Sequence, residues 1–531
     1  MAEGINQTTG QPINRTQTFN SNDYDAYSWI RFANVQPPSH NVTWAWITPA
    51  GNVYFTISTT IPSPPSGSWS TYYVYDSIYI RGSEALLLPG AWVVNVYWDG
   101  VVVLTQYFTV ESVYLSPQDV RNAYDVSPLI GSGYTGVGVT VAVESPAIPP
   151  SFYSDLQGFD QAFDLPDVNV TVVTPYGTAG TTTYSSPNGP AETVTDVELV
   201  HAMAPGAKIL LVLTGNYPSL DGFSYVIDNR AAQVATTSWY NAYWGGSAAS
   251  EANSYNTEYS KSVSENITLI SASGDYGSNN SVPWEPNGVF TGTFWTTYLP
   301  DAYMMPAYSP YVTSVGGTQL NLNGSQYLSE TGWSQSGGGP SNLFSQPNWQ
   351  HGPGVPSNGY RDMPDIALDA SCTTPYIDYF NGSLDSFCGT SGAAPTFAGI
   401  VADIVQAAGH PVGFLNPSLY SLAASNSTAF NEITTGCSLV KVTPSSPTTT
   451  GYCAHQGWNY VTGLGTVNAV ALLHYLAPQV RITGGSTTDK AALLSSGIPM
   501  VVLGSLFCVV ALVRRRPRTD SKPGRVQASQ V

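Results

Sequence analysis

The sequence predicts a chain of three parts: a small β-sandwich, a larger α/β domain built on a parallel sheet, and an apolar helix long enough to cross a membrane. Three observations predict this order. Short alternating or apolar β runs fill residues 23–112, strands alternate with Ala-rich helical stretches over residues 113–478, and an uncharged run, Ala491 to Val513, lies near the end. These patterns are typical of a sandwich, of a parallel sheet with flanking helices and of a bilayer-spanning segment, respectively.

The composition indicates a folded, acidic protein. Of the 531 residues, 42% are hydrophobic and only 10% are charged, so a disordered chain is not expected. The formal net charge is −18 at pH 7. Nucleic acid is therefore excluded as the main partner, because the body of the chain has few cations with which to displace phosphate counterions.

The N-terminal part divides into two segments. Residues 1–22 are polar and are expected to be flexible, whereas residues 23–112 contain short β runs separated by Pro and Gly clusters. Trp98-Asp99-Gly100 lies between two such runs and predicts a hairpin turn. We interpret 23–112 as an immunoglobulin-like β-sandwich that serves as a binding or spacer module, because it contains no set of catalytic side chains.

The larger predicted domain, residues 113–478, contains four apolar runs that indicate buried parallel strands. These runs are VTVAV before Glu144, KILLVL, QVATTS before Trp239, and ITLISAS followed by Gly274 and Asp275. Ligands and catalytic groups of open α/β sheets gather at the carboxyl ends of the strands. Glu144, Trp239 and Asp275 are therefore candidates for a site.

A serine lies where a helix is predicted to begin. Ser391 is in Gly389-Thr390-Ser391-Gly392, and the following stretch predicts a helix with Pro395 in its first turn. Small neighbours leave the hydroxyl accessible, and a helix N-terminus favours developing negative charge. Serine is also a common helix cap, so the motif alone does not establish a nucleophile.

Two carboxyl groups are better candidates for a base than any histidine. None of the six histidines has a His-Gly-Thr context, whereas Glu192 and Asp196 are four residues apart on a helix that Pro190 opens. They therefore project from one face, and their proximity raises the pKa of one of them, so the pair can share a proton and act as acid and base at low pH. The alternative is an exposed acidic helix start that is stabilised by the helix dipole.

The cysteines and glycosylation signals indicate an exterior location. Cys372 with Cys388 and Cys437 with Cys453 form two local pairs, for which we expect disulfides; a zinc site is the alternative. Asn-x-Ser/Thr sequons, which matter only on translocated surfaces, occur at Asn6, Asn14, Asn41, Asn169, Asn266, Asn279, Asn323, Asn381 and Asn426.

The C-terminal segment predicts a single-pass membrane anchor. A linker, 479–496, leads to a predicted transmembrane helix at 497–513, and three arginines, Arg514, Arg515 and Arg516, follow at once. This is the positive-inside pattern, so residues 514–531 are expected to be a basic cytoplasmic tail and the rest to face outward from the cell membrane. A buried core helix is the alternative.

Several motifs, all in family order, resemble those of the sedolisins, the serine-carboxyl peptidases, over about 114–476. The motifs are YTGVGVTVAVE, AETVTDVELVHAMAPGAKI, SASGDYGSN, MPAYSPYVTSVGGTQL, GWSQSGGGPSNLFSQPNWQ, RDMPDIALDAS, CGTSGAAPTFAGI, FNEITTG and GWNYVTGLGTVN. The resemblance implies a subtilisin-like parallel sheet and an acid-active endopeptidase that acts on extracellular proteins or peptides. A tripeptidyl-peptidase of the same family, or a catalytically silent surface binding or coat protein, is the alternative.

The resemblance also implies a role for each candidate. Ser391 matches the nucleophile, Glu192 the general base, and Asp196 the carboxyl group that orients the base. Asp275 matches an aspartic acid that, when protonated, donates a hydrogen bond in the oxyanion hole. Two supporting residues, Glu144 and Trp239, match positions that extend the hydrogen-bond chain in some members; the alternative is that they are ordinary strand-end residues.

Members of this family also carry a calcium site, and the matching residues here are altered. They are Glu432, Ile433, His455, Gly457 and Asn459. Glu432 and Asn459 stand where relatives have aspartates, so one anionic ligand is lost and the affinity for calcium should fall. We expect a weakened calcium site that the Cys437–Cys453 disulfide partly replaces.

Overall fold

The computed structural model describes the chain except for residues 7–8, 21–22, 50, 81–82, 89, 112–113, 177–188, 216–219, 244–246, 279–280, 284–295, 299–302, 427, 442–448, 483–526 and 531. Two compact units are present, one formed by Met1–Ser112 with Gly485–Val531 and the other by Val113–Gly484. The division after Ser112 falls where the sequence changes from β runs alone to alternating strands and helices.

The first unit is all-β over the described part of Met1–Ser112. Its elements are β1 (Gly4–Ile5), β2 (Pro12–Ile13), β3 (Thr18–Asn20), β4 (Asp25–Val35), β5 (His40–Ile47), β6 (Val53–Ile61), β7 (Trp69–Tyr79), a short 3₁₀ helix (Glu84–Leu87), β8 (Gly90–Trp98) and β9 (Val101–Glu111). Five strands form a sheet in the order β3-β9-β8-β5-β6, and β4 pairs with β7 in another sheet.

Aromatic side chains join these two sheets. Trp44 and Trp46 of β5 are fully buried, and Trp46 Nε1 donates a 2.8 Å hydrogen bond to Asp76 Oδ2 on β7. The predicted hairpin turn is present between β8 and β9, where Asp99 and Gly100 both have positive φ angles, 48° and 85°. That geometry matches the right-handed twist of the flanking strands.

Residues 1–22 were expected to be flexible, but the described part of this segment contains the short strands β1, β2 and β3. Strand β3 pairs in parallel with β9, and Phe19 is fully buried with its ring edge-on to Phe108, 5.6 Å between centroids. Ala2 bridges to Tyr27 of β4. The polar composition of residues 1–22 did not indicate these contacts, because a few apolar residues are enough to fix a short strand at a sheet edge.

The second unit contains the remaining helices and most of the remaining strands. The helices are α1 (Pro117–Ala123), α2 (Ser127–Gly131), α3 (Phe152–Phe163), α4 (Gly189–Met203), α5 (Leu220–Asn229), α6 (Ala248–Glu265), α7 (Thr390–Ala408), α8 (Asn416–Ser425) and α9 (Ala469–Leu476). The strands are β10 (Thr140–Ser145), β11 (Asn169–Val173), β12 (Lys208–Leu213), β13 (Val234–Thr237), β14 (Asn241–Tyr243), β15 (Thr268–Ala272), β16 (Ser281–Pro283), β17 (Thr296–Tyr298), β18 (Tyr303–Met305), β19 (Thr313–Asn323), β20 (Gln326–Gly332), β21 (Gly339–Ser345), β22 (Tyr360–Met363), β23 (Ile366–Asp369), β24 (Tyr376–Phe380), β25 (Ser383–Phe387), β26 (Phe430–Asn431), β27 (Cys437–Lys441), β28 (Thr449–Cys453) and β29 (Thr466–Val467).

The centre of the second unit is a largely parallel sheet in the order β11-β12-β10-β13-β15-β19-β23-β29-β26. Of these, β26 runs antiparallel to β29, and β20 adds to β19 as an antiparallel partner. The four apolar runs noted in the sequence form β10, β12, β13 and β15, which pair in parallel as predicted. Their carboxyl ends meet at one edge of the sheet, beside the N-terminus of α7.

The last described strand, β30 (Gln527–Gln530), belongs to the first unit and pairs antiparallel with β7. Among the described residues, none of the helices has both the length and the apolar composition that crossing a bilayer requires. The predicted transmembrane segment 497–513, residues 483–496 of the predicted linker and residues 514–526 of the predicted tail lie outside the described residues.

Candidate active site

Helix α4 presents the two predicted acid/base carboxyl groups. The helix begins at Gly189, as Pro190 predicts, and Glu192 and Asp196 follow one turn apart. Asp196 is 1% exposed, and Glu192 is partly exposed, although its Oε1 atom is shielded from solvent. The pair is therefore not an exposed acidic helix start.

Helix α7 carries Ser391 as its second residue, with the side chain 7% exposed. The prediction that Pro395 lies in the first turn is wrong, because the helix begins at Thr390 and Pro395 lies inside it. The reason is an N-terminal cap from another element: the Thr390 amide donates a 2.8 Å hydrogen bond to Asp275 Oδ1. This cap lets the helix begin five residues before the proline.

Asp275 is bound at the same helix start through one oxygen. Its Oδ1 atom accepts hydrogen bonds from both the amide and the hydroxyl of Thr390, at 2.8 and 2.7 Å. The other oxygen, Oδ2, faces Gly389: a Cβ atom built there would lie 2.6 Å from it, and Gly389 has φ +126°. Since Oδ1 already receives two donors, a proton on Asp275 belongs on Oδ2.

The surroundings of the carboxyl groups favour their protonated forms. Burial raises the pKa of Asp275, and the hydrogen bonds from Thr390 lower it only in part. Burial is also the main cause that raises the pKa of Glu192; the Ser391 and Ser238 hydroxyls lower it and the charge of Asp275 raises it further. Burial, followed by the charge of Glu192, holds the pKa of Asp196 well above its usual range. The pair therefore carries at most one negative charge at acid and neutral pH.

Ser238 is a site residue that the sequence-based prediction missed. Its Oγ atom lies 2.6 Å from Asp196 Oδ1 and 3.1 Å from the backbone carbonyl oxygen of Ser391. The sequence feature that could have identified Ser238 is its position directly after β13 and before Trp239, at the edge of the sheet where candidates were expected. One small hydroxyl thus touches both the acid pair and the backbone of the serine.

The two predicted supporting residues lie at or just after the carboxyl ends of two neighbouring strands. Glu144 of β10 is aligned with Thr237 of β13, and Trp239 follows two residues later. Glu144 is 2% exposed and packs against Gly222 of α5, where a Cβ atom would lie 2.4 Å from Glu144 Cγ. Their proposed role in extending the hydrogen-bond chain stays a prediction.

A second buried acidic cluster, also absent from the sequence-based prediction, lies on the other side of α4. Thr195 Oγ1 donates a 3.0 Å hydrogen bond to Asp378 Oδ2 on β24, and the Tyr379 amide donates to Glu198 Oε2 at 3.1 Å. Burial raises the pKa of Asp378 to about 7. Burial and the charge of Asp378 hold the pKa of Glu198 well above its usual range.

Both predicted disulfides are present. Cys372 bonds to Cys388 and Cys437 bonds to Cys453, each across a sequence separation of 16. These bonds confirm the disulfide interpretation over the zinc alternative. The first pair ends directly before Gly389, and the second joins the hairpin strands β27 and β28.

The five predicted calcium ligands lie in one loop region but are hydrogen-bonded to one another. Asn459 Oδ1 accepts from the Val461 amide and from the amide and hydroxyl of Thr462, at 3.0, 3.0 and 3.1 Å. Three donors fix the orientation of the amide, so Nδ2 donates to the carbonyl oxygens of Ile433 and His455, at 3.2 and 3.4 Å. The carbonyls that calcium would need are thus occupied by amide hydrogens.

Glu432 and Gly457, two more of the predicted calcium ligands, are also hydrogen-bonded to each other. Glu432 Oε1 accepts a 2.7 Å hydrogen bond from the Gly457 amide. No cluster of three or more His, Cys, Asp or Glu side chains suited to a metal occurs in the described part of the chain. This arrangement does not fit a bound cation.

The fold and the geometry of the site define a subtilisin-like serine peptidase scaffold, and comparison with known proteins agrees. Residues 176–457, more than half of the chain, match the subtilase family, Peptidase_S8. The chain therefore belongs to that family, and within it to the sedolisin and kumamolisin group.

Three relatives illustrate the relationship. Kumamolisin of Bacillus sp. (strain MN-32) is 31% identical over 383 residues, which is 68% of this chain and 64% of that protein. Tripeptidyl-peptidase 1 of Dictyostelium discoideum is 26% identical over 401 residues, which is 68% of this chain and 58% of that protein. The solved structure of Pseudomonas sedolisin, a serine-carboxyl proteinase complexed with pseudo-iodotyrostatin, matches with a TM-score of 0.56 and 27% identity, over 68% of this chain and 98% of that one. The chain thus spans about three-fifths of the length of the two curated relatives named here.

Proposed function

We propose that the chain is an acid-active serine-type endopeptidase that hydrolyses peptide bonds of extracellular proteins. One observation carries the proposal: the Ser391 hydroxyl, the Glu192 carboxyl and Asp275 converge at the N-terminus of α7, where Ser391 and Asp275 each influence the pKa of Glu192. A nucleophile, a base and a hydrogen-bond donor for the oxyanion are the groups that acyl transfer needs.

Each group has one task in the proposed reaction. Ser391 Oγ attacks the carbonyl carbon of the scissile peptide, and Glu192 takes the hydroxyl proton. The negative charge that develops on the carbonyl oxygen accepts a hydrogen bond from the proton on Asp275 Oδ2. Glu192 then gives its proton to the leaving amine, and water repeats the sequence on the acyl-serine to regenerate Ser391.

Acid conditions suit this chemistry because Asp275 donates only while it is protonated. Burial raises its pKa, which extends the range in which the proton is held. The same effect makes Glu192 a stronger base in the fraction of molecules in which it is ionised. We therefore expect activity at acid pH that declines as Asp275 loses its proton.

The test is an assay of the purified chain on a denatured protein at about pH 4. We expect Ser391→Ala, Glu192→Gln and Asp275→Asn each to lower kcat/KM by at least about 100-fold, since each removes a group that acts in the transition state. Asn253→Asp, on the exposed face of α6, serves as the control. Activity of Ser391→Ala equal to that of the wild type would contradict the proposal and favour a catalytically silent binding or coat protein.

A tripeptidyl-peptidase is the second candidate, because several of the similar proteins carry that name. Mass spectrometry of the products separates the two activities. An endopeptidase yields internal fragments and cleaves a substrate whose N-terminus is acetylated. Release of three-residue steps from free N-termini, and none from the acetylated substrate, would assign the second activity instead.

We also propose that the chain is anchored in the cell membrane through residues 497–513 and faces outward. The uncharged run, the arginines that follow it and the two disulfides support this location. The antiparallel pairing of β30 with β7 disagrees with this topology, because an anchored chain would place the two strands on opposite sides of the bilayer. Protease added to intact cells should degrade residues 113–478 but spare an epitope placed after Val531; degradation of both would contradict the topology.

Finally, we propose that the loop of Asn459 keeps its shape without calcium. The Asn459 amide satisfies the two carbonyls that would otherwise face a cation, and the Cys437–Cys453 disulfide closes the neighbouring hairpin. Calcium is consequently not a cofactor in the proposed reaction.

A further inference from the structure

An open pocket of about 410 Å³ lies where the parallel pairing of β19 with β23 ends. Gln319 of β19 lines this pocket, as do Ser371, Cys372 and Thr373, which follow β23. Strand β19 is the neighbour of β15, the strand that Asp275 follows. The pocket therefore continues the sheet edge that carries Asp275, and its volume falls within the range of about 300–1,000 Å³ that is usual for ligand sites.

A backbone hydrogen bond holds one wall of this pocket against the loop of Asp275. The wall is formed by residues 333–335, which directly follow β20. The Gly277 amide donates a 2.9 Å hydrogen bond to the Gln335 carbonyl oxygen. Because Gly277 is only two residues from Asp275, this wall lies close to the proposed hydrogen-bond donor for the oxyanion.

A disulfide joins the opposite wall to the segment that carries the nucleophile. Cys372 lines the pocket and bonds to Cys388, with 5.0 Å between their Cα atoms. Gly389 is the next residue, one Cα step of about 3.8 Å further, so Cys372 lies within about 9 Å of Gly389. An extended peptide advances about 3.3 Å per residue. A substrate whose scissile carbonyl lies beside Asp275 can therefore reach the pocket with a residue two or three positions away.

The chemistry of the lining favours uncharged polar ligands. None of the described residues that line the pocket carries a charged side chain, whereas Gln319, Gln335 and Thr373 supply amide and hydroxyl groups. Such groups can both donate and accept hydrogen bonds. A lysine or arginine side chain that entered would lose hydration and gain no opposite charge.

We propose that this pocket is a substrate subsite that binds the uncharged polar side chain of a residue two or three positions from the scissile bond. Gln319 and Thr373, on facing segments, determine its preference. The inference rests on the proposed function and adds to it a class of substrate: proteins rich in Ser, Thr, Asn and Gln.

The test is a map of cleavage sites in a mixture of denatured proteins, determined by mass spectrometry at about pH 5. In the wild type, one position two or three residues from the cut should be rich in uncharged polar residues and poor in Lys and Arg. Gln319→Glu and Thr373→Asp each place a carboxylate in the pocket. Each variant should raise the frequency of Lys and Arg about 5-fold at that same position and at no other.

Ser383→Asp is the control for added charge. Ser383 is exposed in β25 and is not among the residues that line the pocket, so this variant should keep the wild-type cleavage map. Thr373 is also exposed, so Thr373→Asp is expected to fold even if Gln319→Glu, on the half-buried side chain of a sheet strand, does not.

Peptide binding provides a second measurement that needs no cleavage. Two fluorescent peptides are compared on the Ser391→Ala chain: one of Ser, Thr and Gln only, and one with lysine at every third position. Adding Gln319→Glu or Thr373→Asp should lower the Kd of the lysine peptide about 5-fold and leave that of the uncharged peptide unchanged.

Each outcome either supports or overturns the subsite. Changes at different positions in the two variants, no change in either, or a uniform loss of kcat/KM with an unchanged map would overturn it. If the wild type cuts while neither measurement responds, the subsite fails and the proposed peptidase activity stands. If the wild type cuts nothing but binding responds as expected, the peptidase activity fails and the pocket remains a peptide-binding site.

Discussion

The hydroxyl of Thr195 on α4 donates a 3.0 Å hydrogen bond to Asp378 Oδ2 on β24. Thr195 directly precedes Asp196, a member of the acid pair. Helix α4 is therefore hydrogen-bonded to a buried acidic side chain of β24. The hairpin of β24 and β25 continues through Cys388 to Gly389 and Ser391, so this contact ties the helix that carries the base to the segment that carries the nucleophile.

The burial of Asp378 makes stability depend on pH. Burial raises the pKa of Asp378 to about 7, whereas an aspartic acid in the unfolded chain titrates near 3.9. Between about pH 4 and 7 the unfolded chain releases a proton that the folded chain keeps, so the free energy of unfolding should fall as pH rises through this range. Asp378→Asn should flatten that fall in a series of thermal melts.

Asp167, an exposed aspartate between α3 and β11, provides the control. Asp167→Asn should leave the pH dependence of Tm as in the wild type. An equal flattening in both variants would show that the slope comes from net charge and not from the buried carboxyl.

Gly389 should tolerate no side chain. A Cβ atom there would lie 2.6 Å from Asp275 Oδ2, the oxygen proposed to donate to the substrate. We expect Gly389→Ala to lower kcat/KM by at least about 100-fold at pH 4.

Gly382 is a control position that distinguishes the effect of this clash from the effect of backbone strain. It also has a positive φ, +81°, but a Cβ atom there meets no heavy atom within 4 Å. Gly382→Ala should lower the free energy of unfolding by about 1–3 kcal/mol and leave kcat/KM unchanged. Comparable losses of activity in both variants would argue against a role for the Asp275–Gly389 contact.

Asn459→Asp should create a response to calcium. An aspartate oxygen in place of Nδ2 would face the carbonyls of Ile433 and His455, so the variant should be less stable than the wild type in EDTA, by about 1–3 kcal/mol. Calcium should restore its Tm by neutralising the three oxygens, whereas the Tm of the wild type should not change with calcium or EDTA.

Asn253→Asp is again the control, because its exposed amide donates to a single helical carbonyl. Calcium bound to the purified wild-type chain, with a Tm that chelation lowers, would refute the proposed calcium-free loop.

The two disulfides should differ in function and not in stability. Both close loops of the same sequence separation, 16, so each is expected to stabilise the fold by about 3 kcal/mol. Replacing Cys437 and Cys453 by serine should lower Tm but spare kcat/KM. Replacing Cys372 and Cys388 should lower Tm similarly and also lower kcat/KM, because Cys388 precedes Gly389; equal kcat/KM in the two double variants would show that the tether does not position Ser391.

The sequence predicted those parts of the fold and site that depend on local pattern. The spacing of Glu192 and Asp196 on a helix, the four parallel strands and the two cysteine pairs all follow from residues near one another in the chain. Local pattern also located Asp275 and Ser391, although it could not show that Thr390 joins them.

The features that the sequence-based prediction missed depend on contacts between distant segments of the chain. The start of α7 was misplaced because the cap comes from Asp275, far along the chain. Ser238 and Asp378 escaped notice because a serine or an aspartate has no distinctive neighbours until the fold brings α4 beside it. Likewise, the hydrogen bond from the Asn459 amide to the Ile433 carbonyl joins segments 26 residues apart, and the replacement of one residue type by another does not indicate it.

The parallel sheet also determines when the proposed peptidase can first act during its own synthesis. Glu192 leaves the ribosome long before Ser391, and the sheet strands β13, β15, β19 and β23 lie between the two in the chain. Non-local pairing of this kind is slow compared with helix formation. A nascent chain that has not yet emitted α7 carries a base without a nucleophile, so at that stage it cannot cut itself or its neighbours.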